Sequence, residues 1–127
     1  MTVLERGDAI PHWHLTKHDG SSFSYGSIWQ QLNLVLVSLP DTADANTYIA
    51  ALHARDAEFR ARRCECVITR DRIEGLHSPG VLVADKWGEI MHVAGGVSVS
   101  ELPTPDDLLE WVDYVERRCP ECEGEAR

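Results

Sequence analysis

Pro79-Gly80-Val81-Leu82-Val83-Ala84-Asp85-Lys86-Trp87-Gly88-Glu89-Ile90 is the stretch on which the reading of this chain turns. Pro79 has a fixed φ and no N–H to donate, so it can precede a strand but cannot sit inside a central one. The strand therefore begins at Gly80 or Val81. Val81 to Ala84 is short, apolar and partly β-branched, the composition of a strand buried on both faces. Asp85-Lys86-Trp87-Gly88 supplies turn chemistry, with a glycine free to take positive φ. Ile90 to Val93 then returns antiparallel.

Working outward, Leu34-Val35-Leu36-Val37-Ser38-Leu39 is a nearly continuous apolar run closed by Pro40, as expected of a central parallel strand. Ala45 to Arg62 contains neither glycine nor proline and places Tyr48, Leu52 and Phe59 near one face, with Arg55, Glu58 and Arg62 outward, so one helix is predicted. Cys64 to Thr69 reads as a short strand, and a loop through Gly75 leads back to Pro79. On the other side, Gly95-Gly96 ends the returning strand. Thr104 is a plausible N-cap for a last helix, with Pro105 at its first position and Asp106 and Asp107 at the positive end of its dipole. Leu108, Leu109, Trp111, Val112 and Val115 form the stripe predicted to be buried, Glu110, Asp113 and Glu116 face water, and Pro120 stops the helix. Near the start, His12 to Thr16 carries Trp13 and Leu15 on one face, Asp19-Gly20 is a turn signal, and Phe23 and Tyr25 alternate with serines, which together predict a hairpin. Ser27 to Leu32 has the spacing of one or two helical turns.

The pattern Pro-x-x-Leu-Val-x-Asp-x-x-Gly-x-Ile over 79–90 resembles the second half of the thioredoxin fold as it occurs in peroxiredoxins and related redoxin-like proteins. Gly7-Asp8-x-x-Pro11, followed by Asp19-Gly20, is similar to the amino-terminal segment of the same family. The resemblance implies an α/β fold, a thioredoxin-like three-layer sandwich with a mixed central sheet and an N-terminal β-hairpin, over residues 1–118, with a Cys-containing acidic tail at 119–127. It also implies a cis Ser78-Pro79 bond facing the position of the reactive thiol. In peroxiredoxins that thiol lies seven residues after the proline that ends the central strand, which here is Thr47, counted from Pro40. The thioredoxin Cys-x-x-Cys pair falls on Asp44 and Thr47. A helix N-terminus favours a thiolate at such a position, and neither residue can supply one. A threonine there is expected to act as a helix cap.

The four cysteines lie elsewhere. Cys64 and Cys66, two apart on a strand, project to one face, and Cys119-Pro120-Glu121-Cys122 forms a knuckle beyond the last helix. A last helix from Thr104 to Arg118 would be roughly 20 Å long, enough to carry the second pair toward the strand end that holds the first. Four thiolates suit tetrahedral zinc; disulfides, an iron-sulfur centre, or free thiols with an unstructured tail remain open. Two functions follow: a redox-dead module binding a protein partner in the groove beside Thr47 and Pro79, with structural cysteines, or a thiol-disulfide oxidoreductase or antioxidant protein using Cys119 and Cys122 as a displaced dithiol.

Histidine is a second type of candidate ligand. His12 and His14 would share a strand face with His18 at the following turn, so a surface metal site is conceivable there, beside the simpler reading as surface histidines. His53 falls on the solvent side of a helix, His77 in a loop and His92 on a strand, none with a partner visible in sequence. Paired catalytic carboxylates, a serine-nucleophile motif and a phosphate-binding glycine loop are absent.

A length of 127 residues fits one domain. The formal charge of −9 repels phosphate backbones and anionic lipid, so no nucleic-acid or membrane partner is expected. Arg60, Arg62 and Arg63 read as cations complementing a helix C-terminus. No apolar run approaches spanning length, and Met1 to Arg6 lacks the pattern of a signal peptide, which makes a cytoplasmic location the expectation. The partners left are an unidentified protein and a second copy of the chain.

Overall fold

The organising strand is β3, Asn33–Ser38, all six residues of which are buried. It is flanked on both edges and covered on both faces, which is why it reads as an unbroken apolar run rather than an alternating one. The structure, a computed structural model, describes residues 3–117. β3 runs parallel to β4, Cys64–Thr69, with Val35 opposite Cys66, and antiparallel to β5, Gly80–Ala84, with Leu36 opposite Leu82. β5 pairs antiparallel with β6, Ile90–Gly95, so the sheet order is β4-β3-β5-β6. A register shift lies between Val83 and Ala84, whose partners are His92 and Ile90. The hairpin turn is closed by Asp85, whose Oδ1 accepts from the N–H groups of Trp87 and Glu89, while Gly88 takes the expected positive φ of 86°.

Side chains alternate along β3, and the alternation divides the core. Val35 and Val37, with Leu39 beyond the strand, pack with α1 (Ala43–His53), α2 (Asp56–Ala61) and α3 (Pro105–Arg117), through Leu52, Phe59, Leu108 and Val112 among others. Leu34 and Leu36 face the opposite layer, where Ile10, Phe23, Tyr25, Ile28 and Ile73 cover the sheet. That outer layer is built from the hairpin of β1 (His14–Thr16) and β2 (Ser22–Ser24), the 3-10 turn Tyr25–Ser27, and the loop between β4 and β5. The hairpin docks on the end of edge strand β4: His18 N–H donates to the Ile68 carbonyl at 2.8 Å, and the Thr69 hydroxyl to the Thr16 carbonyl at 2.7 Å.

Two expectations change. The single helix over Ala45 to Arg62 is two helices, broken at Ala54 and Arg55 although no glycine or proline marks the place. Arg55 leaves helical geometry, with φ −108° and ψ 12°, and its guanidinium is held between Glu58 and, at 2.5 Å, Asp106 on the first turn of α3. The ion pair to Asp106 thus ties the break to α3. The turns expected over Ser27 to Leu32 start earlier, as the 3-10 turn at Tyr25, and are interrupted by Gln30 at φ 67°. α3 begins as read: Thr104 Oγ1 accepts from Asp107 N–H and Asp107 Oδ2 from Thr104 N–H, both at 3.1 Å.

Candidate functional site

The end of β3 delivers the chain through Pro40 to the N-terminus of α1. Thr42, with extended backbone, is the N-cap; its hydroxyl accepts from Ala45 N–H at 3.3 Å and donates to Asp44 Oδ1 at 2.5 Å. Asp44 Oδ1 also accepts from Ala45 N–H at 3.0 Å. The Thr42 hydroxyl, with these amide bonds, holds the Asp44 carboxyl below the usual carboxylate range. Arg70 buttresses the turn, donating to the Pro40 carbonyl at 2.8 Å and to Asn46 Oδ1 at 2.7 Å and pairing with Asp41 at 3.3 Å. Thr47 is not the cap. Its hydroxyl donates backward to the Ala43 carbonyl at 3.3 Å, one turn into the helix.

Asp44 and Thr47 form the polar side of a groove of about 380 Å³ whose apolar walls are Tyr48, Ala51, Val99 and Leu102. Tyr48 is pinned by its hydroxyl to the Pro103 carbonyl at 2.6 Å, and burial pushes its phenol pKa up. The Ser78-Pro79 bond is cis, as the sequence pattern implies. Pro79 stands at the same end of the sheet, because Gly80 pairs with Ser38 at the end of β3. A Cβ on Gly80 would lie 2.1 Å from the His77 carbonyl oxygen, so only glycine fits. Pro79 approaches the groove indirectly: its carbonyl accepts from Gly96 N–H at 3.3 Å, and Gly96 lies against Glu101, in the 3-10 turn Val99–Glu101 that forms one wall.

Cys64 and Cys66 do share a face, and it is the face turned toward the helical layer. Cys64 is 2 % exposed and Cys66 is half-buried, and neither is in a disulfide. Burial is the largest cause of a thiol pKa well above normal at Cys64 and of one pushed up to about 12 at Cys66, where Asp56 and Glu65 add to it. With no metal bound, burial keeps both protonated at neutral pH, the opposite of a reactive cysteine. Cys119 and Cys122 lie outside the described residues. The described part of α3 ends beside Cys64's end of the sheet: Asn33, the partner of Cys64 across the ladder, donates from Nδ2 to Glu116 Oε2 at 2.6 Å. Among the described residues, no group of three or more His, Cys, Asp or Glu side chains could hold a metal ion.

The histidines are arranged differently from the expectation. His12, His14 and His18 do not converge. His12 sits edge-on to Tyr25 and Trp29, at ring-centroid distances of 5.4 and 5.2 Å, and His14 is exposed on β1. His92 stacks on Trp111 at 4.3 Å. His18 instead meets His53, the last residue of α1, with the two Nε2 atoms 3.0 Å apart. Burial, then His53, lowers the His18 pKa, which favours its neutral form. The two residues are 35 apart, and no local pattern could have paired them.

The chain matches no protein-family model and no curated protein by sequence. Its structure is similar to that of the reduced 2-Cys peroxiredoxin of Plasmodium vivax, with a TM-score of 0.72, 13 % identity, and coverage of 88 % of this chain and 82 % of that one. Mycobacterium tuberculosis AhpC gives 0.69 at 14 % identity, over 94 % and 98 % of the two chains. A thiol:disulfide interchange protein of the thioredoxin family from Chlorobium tepidum TLS gives 0.65 at 13 % identity, over 90 % and 99 %. The chain has a peroxiredoxin-like thioredoxin fold. At such identities the likeness concerns the backbone path, and the residues at the α1 N-terminus are this chain's own. In this thioredoxin fold the first turn of α1 carries a carboxylate that already occupies helix donors, and the described thiols lie in the core. No helix among the described residues is long and apolar enough to cross a membrane.

Proposed function

We propose that this thioredoxin-fold protein is a redox-inert binding module that receives an apolar side chain of a protein partner in the groove beside Asp44 and Thr47. The observation that carries the reading is the α1 N-terminus. Asp44 accepts from Ala45 N–H and from the Thr42 hydroxyl, so the positive end of the helix is neutralised by a resident anion where a thiolate would otherwise be stabilised. Asp44 and Thr47 are also unable to act as thiol nucleophiles. The groove offers aromatic and aliphatic walls and a few polar groups at its rim, the usual make-up of a site that holds one anchoring side chain.

The test is turnover of hydrogen peroxide and of a model disulfide by the purified full-length protein with a thiol reductant. Rates indistinguishable from the reductant alone are expected. Turnover that disappears on replacing Cys119 or Cys122 by serine would overturn the proposal in favour of a displaced dithiol. In the proposed reading the cysteines are structural, and zinc shared by Cys64, Cys66, Cys119 and Cys122 is the arrangement that would make them so. The side-by-side placement of the first pair and the bond from Asn33 to Glu116 support it. Metal content and free-thiol count, measured together on native protein, decide it: one zinc with no freely reacting thiol is expected, and metal-free protein with accessible thiols excludes it.

A further inference from the structure

The His18–His53 contact has no part in the groove or in the cysteine chemistry, and it joins two separately anchored elements. We propose that His18 and His53 form a two-imidazole site for a divalent transition-metal ion of the nickel, copper and zinc class. Each backbone is fixed before any ion arrives. His18 is tied by its N–H to the Ile68 carbonyl of β4 at 2.8 Å, and His53 belongs to the last turn of α1. The rings are tilted at 49° with centroids 5.0 Å apart, and the atoms they bring together are the two Nε2 nitrogens, 3.0 Å apart.

The distance is informative. Imidazole-metal bonds are about 2.0–2.1 Å, so two of them at a right angle place the nitrogens about 2.9 Å apart, and at a tetrahedral angle about 3.4 Å. The observed 3.0 Å suits a cis pair on a tetragonal or octahedral ion and needs a small opening for zinc. Without metal the contact is a single N–H···N hydrogen bond between neutral rings, which leaves one ring nitrogen to accept and the other to donate. An ion takes both Nε2 lone pairs once the donating ring has passed its proton from Nε2 to its own Nδ1 through water, so both rings stay neutral and no net proton is lost.

Charge around the pair permits a cation. Lys17 and Arg70 are the nearby cations that act on His18, and each is engaged by a carboxylate: Lys17 by Glu65 at 3.7 Å and Arg70 by Asp41 at 3.3 Å. Asp19, which adjoins His18 in the turn, adds negative charge. Since no third His, Cys, Asp or Glu among the described residues completes the set, water would fill the other positions, and binding should be weaker than at a closed site of four protein ligands.

Thermal unfolding of the full-length protein with Ni2+ or Mg2+ tests the site. Bridging the hairpin to α1 should raise Tm by about 5 °C or more in saturating Ni2+ and not in Mg2+. The rise should persist in His14→Ala and vanish in both His18→Ala and His53→Ala. Absence of a rise in the wild type, or its survival in either of those two variants, overturns the proposal. As an independent readout, substoichiometric Ni2+ should broaden amide NMR signals around His18 and His53 first. Broadening centred on His12, His92 or the tail cysteines would assign the ion elsewhere.

Discussion

Cys66 shows how one side chain's surroundings decide its chemistry. A thiol two residues from another on a strand is equally compatible in sequence with a ligand, a redox centre or a core residue, and in the metal-free chain burial against the helical layer favours the protonated form. The consequence for stability can be signed. Folding raises the thiol pKa, so below about pH 9 both folded and unfolded chains keep the proton and the stabilisation is complete. As pH rises from 9 toward 12 the unfolded chain loses the proton first, and stability falls. Urea denaturation of chelator-treated protein should therefore show a lower midpoint at pH 10.5 than at pH 8, with a smaller drop in Cys66→Ala. An equal drop in the variant would locate the alkaline sensitivity elsewhere. At pH 8, Cys64 and Cys66 should also resist alkylation until the chain is unfolded.

The elements are fastened at their ends. Thr42 caps α1, and Thr42→Ala should cost about 1 kcal/mol in chemical denaturation, whereas Thr47→Ala, which removes only a bond back to the Ala43 carbonyl, should change stability by less than about 0.5 kcal/mol. The opposite ranking would mean that Thr47, the position the family pattern picks out, is the structural cap after all. Asn33 fastens α3 by a different bond: buried at 3 % exposure, it donates to the Glu116 carboxylate and links the end of α3 to the start of the central strand. Asn33→Ala should cost roughly 1–3 kcal/mol, since Glu116 loses its partner and the backbone carbonyl of Arg62 loses a donor. Wild-type stability in that variant would show the bond to be dispensable.

At the scale of the molecule, β3 couples two hydrophobic layers that do not share side chains. Leu36 is fully buried in the hairpin-side layer, against residues from the N-terminal segment and from β5. Leu36→Ala should cost about 2–5 kcal/mol and lower the midpoint for both layers together in a single transition, because the same backbone carries Val35 and Val37 into the helical layer. If near-UV circular dichroism and far-UV signals separate in this variant, the layers unfold independently and β3 is not the coupling element. The net charge of −9 adds diffuse repulsion to this economy without selecting a fold.

Local physics was enough for much of this protein. A buried strand ended by proline, an Asp-x-x-Gly turn and the Thr-Pro-Asp-Asp start of α3 each follow from conformational limits within a few residues, so the sheet, its hairpin and the last helix were legible in order, whereas the cis Ser78-Pro79 bond was legible only through the family resemblance. The absence of a thiol at 44 and 47 was legible too, through the family resemblance that fixes the spacing counted from Pro40. What the tertiary structure decided are meetings between distant residues. Arg55, at the break in a glycine-free and proline-free helix, meets Asp106 of α3, and His18 meets His53 where the hairpin docks on β4. Sequence periodicity reports which face of an element is apolar. Which two faces then touch is fixed only when every layer has buried its own.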